Sequence, residues 1–428
     1  MDTIFAQATA TGRAGVSVIR VSGPEAFDIS SIFCDLPDVG RIGLRAVRGC
    51  DGALIDRAVV LCFENGASFT GERVVEFQVH GGLATVARLL SELSAQKGCR
   101  LAEPGEFTRR ALENGQLDLN QVEALSDLID AETESQRQQA IRVLDGSFGD
   151  AGERWRGKLL RAAALLEASI DFSDEEIPDD LSVEVIHLVE DTRASISAIL
   201  ERSTVAAKIR TGFTVAIIGA PNVGKSTLLN SIVGRQAAIT SDVAGTTRDV
   251  IECRVDLQGL AVSFLDTAGL RDSKDEIEKL GISKAYEMAD AADIRVFLIE
   301  EEGEPLAITM RDGDIVRLNK GDERGLDVEA VSGKTGQGVS ELLNLIAERL
   351  AVKAPTDVVA IRERQITGLR AAEFFLARVL MLVQSDPLPF ELASQELYFA
   401  LSELDFVFGR IDIESVLDEI FSSFCLGK

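Results

Sequence analysis

Between residues 1 and 115 short apolar runs alternate with glycine-bearing turns: Val16-Ser-Val-Ile-Arg-Val21, Val59-Val-Leu-Cys-Phe63 and Val74-Val-Glu-Phe-Gln-Val79. Runs of this length and β-branched content, bounded by turn residues, read as strands, so an α+β domain is expected here. The period then changes. From 117 to 144 the apolar residues Val122, Leu125, Leu128, Ile129 and Ile141 recur at helical spacing, and Gly146 stops the run. Residues 159–170 and 183–205 repeat the helical pattern, with Pro178 and its acidic neighbours marking the loop between them. Over about 209–350 the apolar runs shorten again, at 215–218, 262–265, 295–299 and 315–318, and read as buried strands. Helical spacing resumes at 366–383, 391–408 and 414–424. The pattern therefore predicts a domain at 1–115, a helical domain in two parts at 116–208 and 351–428, and a sheet domain at 209–350 inserted between them. The two helical parts are expected to pack as one bundle.

Composition narrows the class. At 428 residues the chain has the length of about three domains, each able to bury its own core. Hydrophobic residues make up 46% and the mean hydropathy is +0.12, as in ordinary soluble proteins. No apolar run reaches membrane-spanning length and the start shows no basic-then-apolar signal, so a cytoplasmic protein with no membrane partner is expected. The cysteines at 34, 50, 62, 99, 253 and 425 form no CxxC pair and have no histidine at ligand spacing. Disulfide and zinc frameworks are not expected. The net charge of −26 argues against a strong grip on nucleic acid by this chain alone, because such affinity comes mainly from neutralised phosphates. If RNA is the substrate, a more basic partner should hold much of it.

The chemistry concentrates in the inserted domain. Gly219-Ala-Pro-Asn-Val-Gly-Lys-Ser-Thr227 matches the phosphate-cradling pattern GxxxxGK[ST] in full. It follows the apolar run 214–218 and precedes a helix-like run at 228–232, which is the setting that the motif needs. Backbone N–H groups from Asn222, Val223, Gly224 and Thr227 can close on phosphates, Lys225 can neutralise β/γ oxygens, and the Ser226 hydroxyl can sit on Mg²⁺. Downstream, Asp266-Thr267-Ala268-Gly269 ends an apolar run, where Asp266 can hold a Mg²⁺ water and Gly269 leaves room for a backbone N–H to face a γ-phosphate. Asn319-Lys320-Gly321-Asp322 follows the next run. A carboxylate at Asp322 accepts from guanine N1 and N2, donors that adenine lacks on that edge, and an unfilled buried acceptor rejects the wrong base strongly. Ser332-Gly333-Lys334 is similar to the loop that reads guanine O6. One such tetrapeptide is weak; this ordered set identifies a guanine-nucleotide site.

The stretch Ser241-Asp242-Val243-Ala244-Gly245-Thr246-Thr247 lies between the phosphate loop and Asp266. Thr247 is placed to reach Mg²⁺ and the γ-phosphate. Leu270 stands after Gly269 where Ras-like switches carry a water-orienting glutamine, so another group must orient water. The acidic run Asp275-Glu-Ile-Glu278 is the nearest source of a carboxylate. It reads equally well as a solvated helix start, where acids favour the dipole.

The layout as a whole resembles the MnmE (TrmE) family of tRNA modification GTPases. Asp2-Thr-Ile4, Gly12-Arg-Ala-Gly-Val16, Ile19-Arg-Val-Ser-Gly23, Ser68-Phe-Thr-Gly-Glu72 and His80-Gly-Gly82 carry the likeness at the start. Arg100-Leu-Ala-Glu-Pro-Gly-Glu-Phe-Thr-Arg-Arg110, Leu117-Asp-Leu119 and Asp127-Leu-Ile-Asp-Ala-Glu-Thr133 extend it, and Phe421-Ser-Ser-Phe-Cys-Leu-Gly-Lys428 closes it. The resemblance implies an N-terminal folate-binding and dimerising α+β domain, a central helical bundle and a Ras-like GTP-binding domain inserted in the bundle. It also implies joint action with the flavoprotein MnmG (GidA), in a heterotetramer or larger complex, on the wobble uridine of certain tRNAs. There an aminomethyl or carboxymethylaminomethyl group is added at C5, with 5-formyl- or methylene-tetrahydrofolate as one-carbon source and FAD carried by the partner.

By position, the resemblance places K⁺ on Asn222, Ser241, Val243 and Thr246, Mg²⁺ on Ser226 and Thr247, and the catalytic glutamate on Glu278. It assigns folate contacts to Arg20, Glu76, Gln116 and Lys428, and a chemical role to Cys425. Gln116 stands where relatives carry lysine, which weakens one contact to the glutamate tail; Leu426 replaces isoleucine at little cost. A carboxylate at Glu76 can pair with the pterin 2-amino and N3–H groups, although an exposed strand carboxylate is the simpler reading of that residue alone. His80 reads as the cap of a Gly-Gly turn. Cys425 lies fourth from the end, but Leu-Gly-Lys is not a prenylation box; a small core hydrophobe is its other reading. The rival function is a ribosome-assembly GTPase, a switch without modification chemistry. That class needs a basic RNA-binding appendage, whereas residues 353–428 read as amphipathic helices. A GTP-binding scaffold is a third option, and turnover would dismiss it.

Overall fold

The computed structural model describes residues 2–171, 180–236, 251–266, 287–306, 308–320, 329–353, 362–385, 388–411, 421 and 427. Two compact units form: one of Met1–Ser126, Gly149–Glu153 and Ser402–Lys428, the other of Asp127–Phe148 and Arg154–Leu401.

In the first unit the apolar runs of the N-terminal region become strands of one mixed sheet. β1 (Thr3–Gln7), β2 (Ala14–Ser22), β3 (Gly43–Arg48), β4 (Leu54–Phe63), β5 (Val74–Gly81) and β6 (Cys99–Leu101) lie in the order β3-β4-β5-β2-β1-β6. Only the β1–β6 pair is parallel. Alternation sorts the faces. Ile19, Val21, Val60, Cys62, Val75, Phe77 and Val79 form one core with residues of α1 (Ala26–Ser31) and α2 (Leu83–Ser94). On the opposite face, Ile4 and Ala6 pack with Phe107 of α3 (Glu106–Glu113) and with Phe69. Buried Arg110 binds Glu72 at 3.1 Å and Glu106 at 3.0 Å, and its Nη1 donates to the Asp2 carbonyl at 2.8 Å. This network fastens α3 to both the chain start and the loop before β5.

The helical run predicted from 117 to 144 is broken into α4 (Leu119–Ile129) and α5 (Glu134–Leu144). Thr133 and Gln136 cause the break. They form a capping box, in which each side chain satisfies a backbone N–H at the start of α5. α6 (Ser147–Asp171) and α7 (Asp180–Thr211) follow.

The second unit holds the other sheet. β7 (Phe213–Gly219), β8 (Ile251–Leu257), β9 (Leu260–Asp266), β10 (Ile294–Ile299), β11 (Ile315–Asn319) and β12 (Ala330–Val331) lie in the order β12-β11-β10-β7-β9-β8. All neighbours are parallel except the β8–β9 hairpin at one edge. α8 (Lys225–Arg235) and α9 (Val339–Lys353) contribute Leu228, Ile232, Leu342 and Ile346 to the core on one face. Ala216, Ile218 and Phe297 form a second, smaller core with Ala289, Ala292 and the loop residues Leu306 and Ile308. α10 (Glu363–Val383) packs along α7, and α11 (Phe390–Val407) follows. No described helix is long and apolar enough to cross a membrane.

Candidate functional site

The parallel order puts β7 between β9, which follows it in sequence, and β10, which lies on its other side. Neighbouring connections then diverge at the carboxyl end of β7, and such a switch point opens a crevice for a ligand. The phosphate-loop residues leave β7 at this point. Asn222 and Gly224 take left-handed backbone angles, φ 63° and 103°, and turn the chain sharply into α8. Gly224 has a steric reason to lack a side chain, since a Cβ there would lie 2.4 Å from Asn319 Nδ2. The first turn of α8 therefore begins at the crevice, with its unpaired N–H groups and positive dipole end available to an anion.

Lys225 is 5% exposed and donates to the carbonyls of Gly219 (2.8 Å) and Ala220 (2.9 Å). Burial lowers the pKa of its ammonium, opposed by the Asp266 carboxylate. Bound phosphate oxygens would oppose that lowering by favouring the charged form. Ser226 Oγ donates to Asp266 Oδ2 at 2.5 Å, so the hydroxyl and carboxylate converge on one spot at the ends of α8 and β9. This pair of hard oxygen donors fits a Mg²⁺ shell.

On the other side, Asn319 at the end of β11 is 6% exposed and donates from Nδ2 to the Val223 carbonyl, tying the base-reading strand to the phosphate loop. Lys320 takes φ 62° and its ammonium lies 3.1 Å from Glu300 Oε1, directly after β10. Sequence reading missed Glu300; the only signal was an acid immediately beyond the strand beside Asn319. Ser332 and Gly333 follow β12. The Ser332 N–H donates to the Gln337 carbonyl at 2.9 Å, and a Cβ at Gly333 would lie 2.6 Å from Leu228 N, so that loop presses against α8. Lys334 is exposed. Thus Asn222, Val223, Gly224, Lys225, Ser226, Thr227, Asp266, Asn319, Lys320, Ser332 and Gly333 gather at one end of the sheet. Ser241, Asp242, Val243, Ala244, Gly245, Thr246, Thr247, Thr267, Ala268, Gly269, Glu278 and Asp322 lie outside the described residues.

In the first unit, Arg20 Nε and Glu76 Oε1 are 2.9 Å apart, both side chains less than one-fifth exposed. Glu76 is thus no exposed strand carboxylate. The Arg20 guanidinium lies over the rings of Phe69 (5.3 Å) and Phe107 (5.5 Å). Gln116 is exposed, and its side chain stands where a Cβ at Gly71 would fall, 3.1 Å from Gln116 Cγ. His80 pairs its Nδ1 with Asp56 at 2.9 Å instead of capping the glycine turn. Cys425 and Lys428 lie outside the described residues. Two residues of the same terminal stretch are described: Phe421 packs on Gly105, and a Cβ at Gly427 would lie 2.0 Å from the Gln7 carbonyl oxygen.

Two family models match the chain: the TrmE N-terminus of GTP-binding proteins over residues 3–116, and the MnmE helical domain over 119–425. It is similar to the tRNA modification GTPases MnmE of Roseobacter denitrificans, 52% identical over 429 residues, and of Ruegeria pomeroyi, 52% identical over 430 residues, with all of each chain covered. Among solved structures, Era of Aquifex aeolicus with GDP and aluminium fluoride is 26% identical, covering 40% of this chain and 68% of that one at a TM-score of 0.27, a likeness that carries no argument. Full-length identity at this level, together with both family models, decides the assignment: the chain belongs to the tRNA modification GTPase MnmE family.

Proposed function

We propose that this protein hydrolyses GTP and takes part in modifying the wobble uridine of tRNA. One observation carries the nucleotide half of the reading. Lys225, Ser226, Asp266, Asn319 and Ser332, read from the sequence as phosphate, magnesium and guanine contacts, meet at the carboxyl ends of parallel strands at a switch point. Family membership carries the tRNA half. Mg²⁺ belongs on Ser226 and Thr247. K⁺ belongs on Asn222, Ser241, Val243 and Thr246, and Glu278 positions the attacking water. Bound beside the phosphates, the cation supplies positive charge where negative charge grows on the leaving oxygens. The protein's own part is to hold those phosphates on the Lys225 ammonium and the first turn of α8.

The proposal extends to the first unit. Arg20, Glu76, Gln116 and Lys428 contact a tetrahydrofolate, which brings the one-carbon unit when bound, and Cys425 serves its transfer. The Arg20–Glu76 pair beside Phe69 and Phe107 supports this placement, since it offers a donor and an acceptor next to flat apolar rings. Homodimerisation fits the sheet face opposite α1 and α2, where Leu44 is 65% exposed and pairs across β4 with Val59. MnmG, with its FAD, and tRNA complete the assembly in the cytoplasm. The domain limits 1–115, 116–208, 209–350 and 351–428 belong to the same reading.

The test is GTP turnover by the purified chain in K⁺ and in Na⁺, beside ATP as control. Turnover several-fold faster in K⁺, selective for GTP and losing its K⁺ gain in Asn222→Ala, is expected. Equal rates in the two salts would remove the cation assignment, and unchanged wobble uridines in a deletion strain would remove the tRNA half.

A further inference from the structure

The β8–β9 hairpin has a property that the nucleotide site does not use. Its seven-residue strands pair along their whole length, from Ile251↔Asp266 to Leu257↔Leu260. One end carries Asp266, which receives the Ser226 hydrogen bond. The other end, roughly 20 Å away at the rise of an extended strand, is the tight turn Gln258-Gly259, with φ of 54° and 87°. Both residues are left-handed, as in the two-residue turns that match strand twist and make stiff hairpins.

That turn grips α5. The Ser135 N–H belongs to the first turn of α5, where a helix has no internal acceptor, and it donates to the Gly259 carbonyl at 3.1 Å. Below it, Arg254 Nε of β8 lies 2.8 Å from Glu132 Oε2, just before the α5 cap, as an ion pair whose angle is not that of a hydrogen bond, and Arg254 Nη2 donates to the Thr211 carbonyl at 3.3 Å. Gln136 joins the same place to the end of α7, donating to the Arg210 carbonyl at 2.9 Å while its own oxygen accepts from the N–H groups of Glu132 and Thr133.

Three features leave this grip room to move. A solvent-open pocket of about 390 Å³ lies beside it, lined by Asp127, Glu132, Gln136, Arg210, Thr211 and Arg254. Movement of side chains into this open space displaces water and few packed atoms. Arg210 also lines the pocket; among the described residues its buried Nε has no hydrogen-bond acceptor, and its Nη1 stands 4.0 Å from Asp127, too far for a hydrogen bond. A small shift would close that gap. Moreover, among the described strands β8 stands at the sheet edge and pairs with β9 alone, and an edge strand moves at less cost than one paired on both sides.

We propose that the β8–β9 hairpin is a coupling arm, which carries the nucleotide state at Asp266 to α5 and α7 through the Gly259–Ser135 and Arg254–Glu132 contacts. The proposal rests on the GTPase reading and names the residues that transmit its state. Arg254 and Glu132 are positioning residues, remote from the reacting atoms. Linkage requires reciprocity: whatever the nucleotide does to the grip, loss of the grip must do to relative nucleotide affinity.

The experiment measures dissociation constants for GDP and a non-hydrolysable GTP analogue in the full chain and in Glu132→Gln, Arg254→Gln and the double variant. Amide hydrogen exchange over 132–144 and the thermal midpoint are followed in each. Exchange at the start of α5 is expected to differ between the two nucleotides in the wild type. Each single variant should shift the ratio of the two constants by roughly 5-fold, and the double variant by no more than Arg254→Gln alone, because Glu132→Gln removes only the pair that Arg254→Gln also removes, whereas Arg254→Gln loses the Thr211 contact as well. Unchanged ratios with only a lowered midpoint would overturn the coupling and leave a structural ion pair. Exchange over 132–144 that ignores nucleotide in the wild type would overturn it independently of any variant. A wild-type chain that binds neither nucleotide would remove the GTPase reading and the coupling together, and is told apart by the binding measurement itself.

Discussion

At the scale of single residues, the clearest consequence of burial is the cluster around Glu106. Burial favours the neutral acid, but hydrogen bonds from Arg100 (2.6 Å), the Glu103 N–H (2.8 Å) and Arg110 (3.0 Å) outweigh it and hold the carboxyl below its ordinary pKa. A depressed folded-state pKa adds stability that is complete above the unfolded value of about 4.3 and disappears as pH falls through the folded value. Glu106→Gln should therefore cost about 3 kcal/mol near neutral pH, the low end for breaking a buried pair. The difference in thermal midpoint between the two proteins should narrow steadily below about pH 4. A difference that stays constant from pH 7 to pH 3 would contradict the ionic account. The motif Arg100–Arg110 was legible in the sequence, but not this role. Sequence alone does not tell a surface arginine from a buried one, whereas Arg110 is only 5% exposed and spends its donors inside the protein.

At the scale of elements, legibility followed length and partners. β2, β4 and β5 announce themselves because their valine runs alternate over eight to ten residues. β1 and β6, at five and three residues, are too short to show a period; β1 is held between β2 and β6, and β6 pairs with β1 across nearly a hundred residues. The break between α4 and α5 hides inside a pattern with helical spacing on both sides; only the capping residues Thr133 and Gln136 mark it. The connection from β10 to β11 is unusual too. Parallel neighbours are normally joined through a helix, yet the described residues between 300 and 314 contain none. Arg295 holds this crossover instead. Only 1% exposed, it reaches Asp314 at 2.6 and 2.9 Å, Asp290 at 3.1 Å and the Thr309 carbonyl at 3.0 Å. Arg295→Met should strand the buried Asp314 charge and cost about 3–5 kcal/mol. Replacing both, as Arg295→Met with Asp314→Leu, should recover part of that loss, because no buried charge is then stranded, while the Thr309 carbonyl and the Arg311 N–H still lose their side-chain partners. Denaturant midpoints of the two variants decide it; a double variant no better than the single would show that the pair contributes more than mutual neutralisation.

At the scale of the whole molecule, the proposed nucleotide contacts and the proposed folate contacts fall in different compact units. The nucleotide contacts lie in the unit of Asp127–Phe148 and Arg154–Leu401, and Arg20, Glu76 and the C-terminal residues in the other. Within that other unit, the terminal stretch is fixed at two points: Phe421 is 1% exposed and packs with Leu119 and Val122, and Gly427 is buried against the Gln7 carbonyl of β1. Gln7 pairs with Ile19, one residue from Arg20, so Gly427 lies against the strand next to the one that carries the proposed folate contact. This supports a chemical role for Cys425, which falls between those fixed points in sequence. Cys425→Ser keeps the size but replaces a potential thiolate with a hydroxyl that stays neutral near pH 7. K⁺-stimulated GTP turnover should then remain near the wild-type rate while wobble-uridine modification in cells collapses. A thiol that merely fills space predicts another result, a lower thermal midpoint with turnover and modification reduced together. Midpoint, turnover and modified nucleoside measured on the same variant separate the two, and a fully modified tRNA pool in the serine variant would end the chemical role of Cys425.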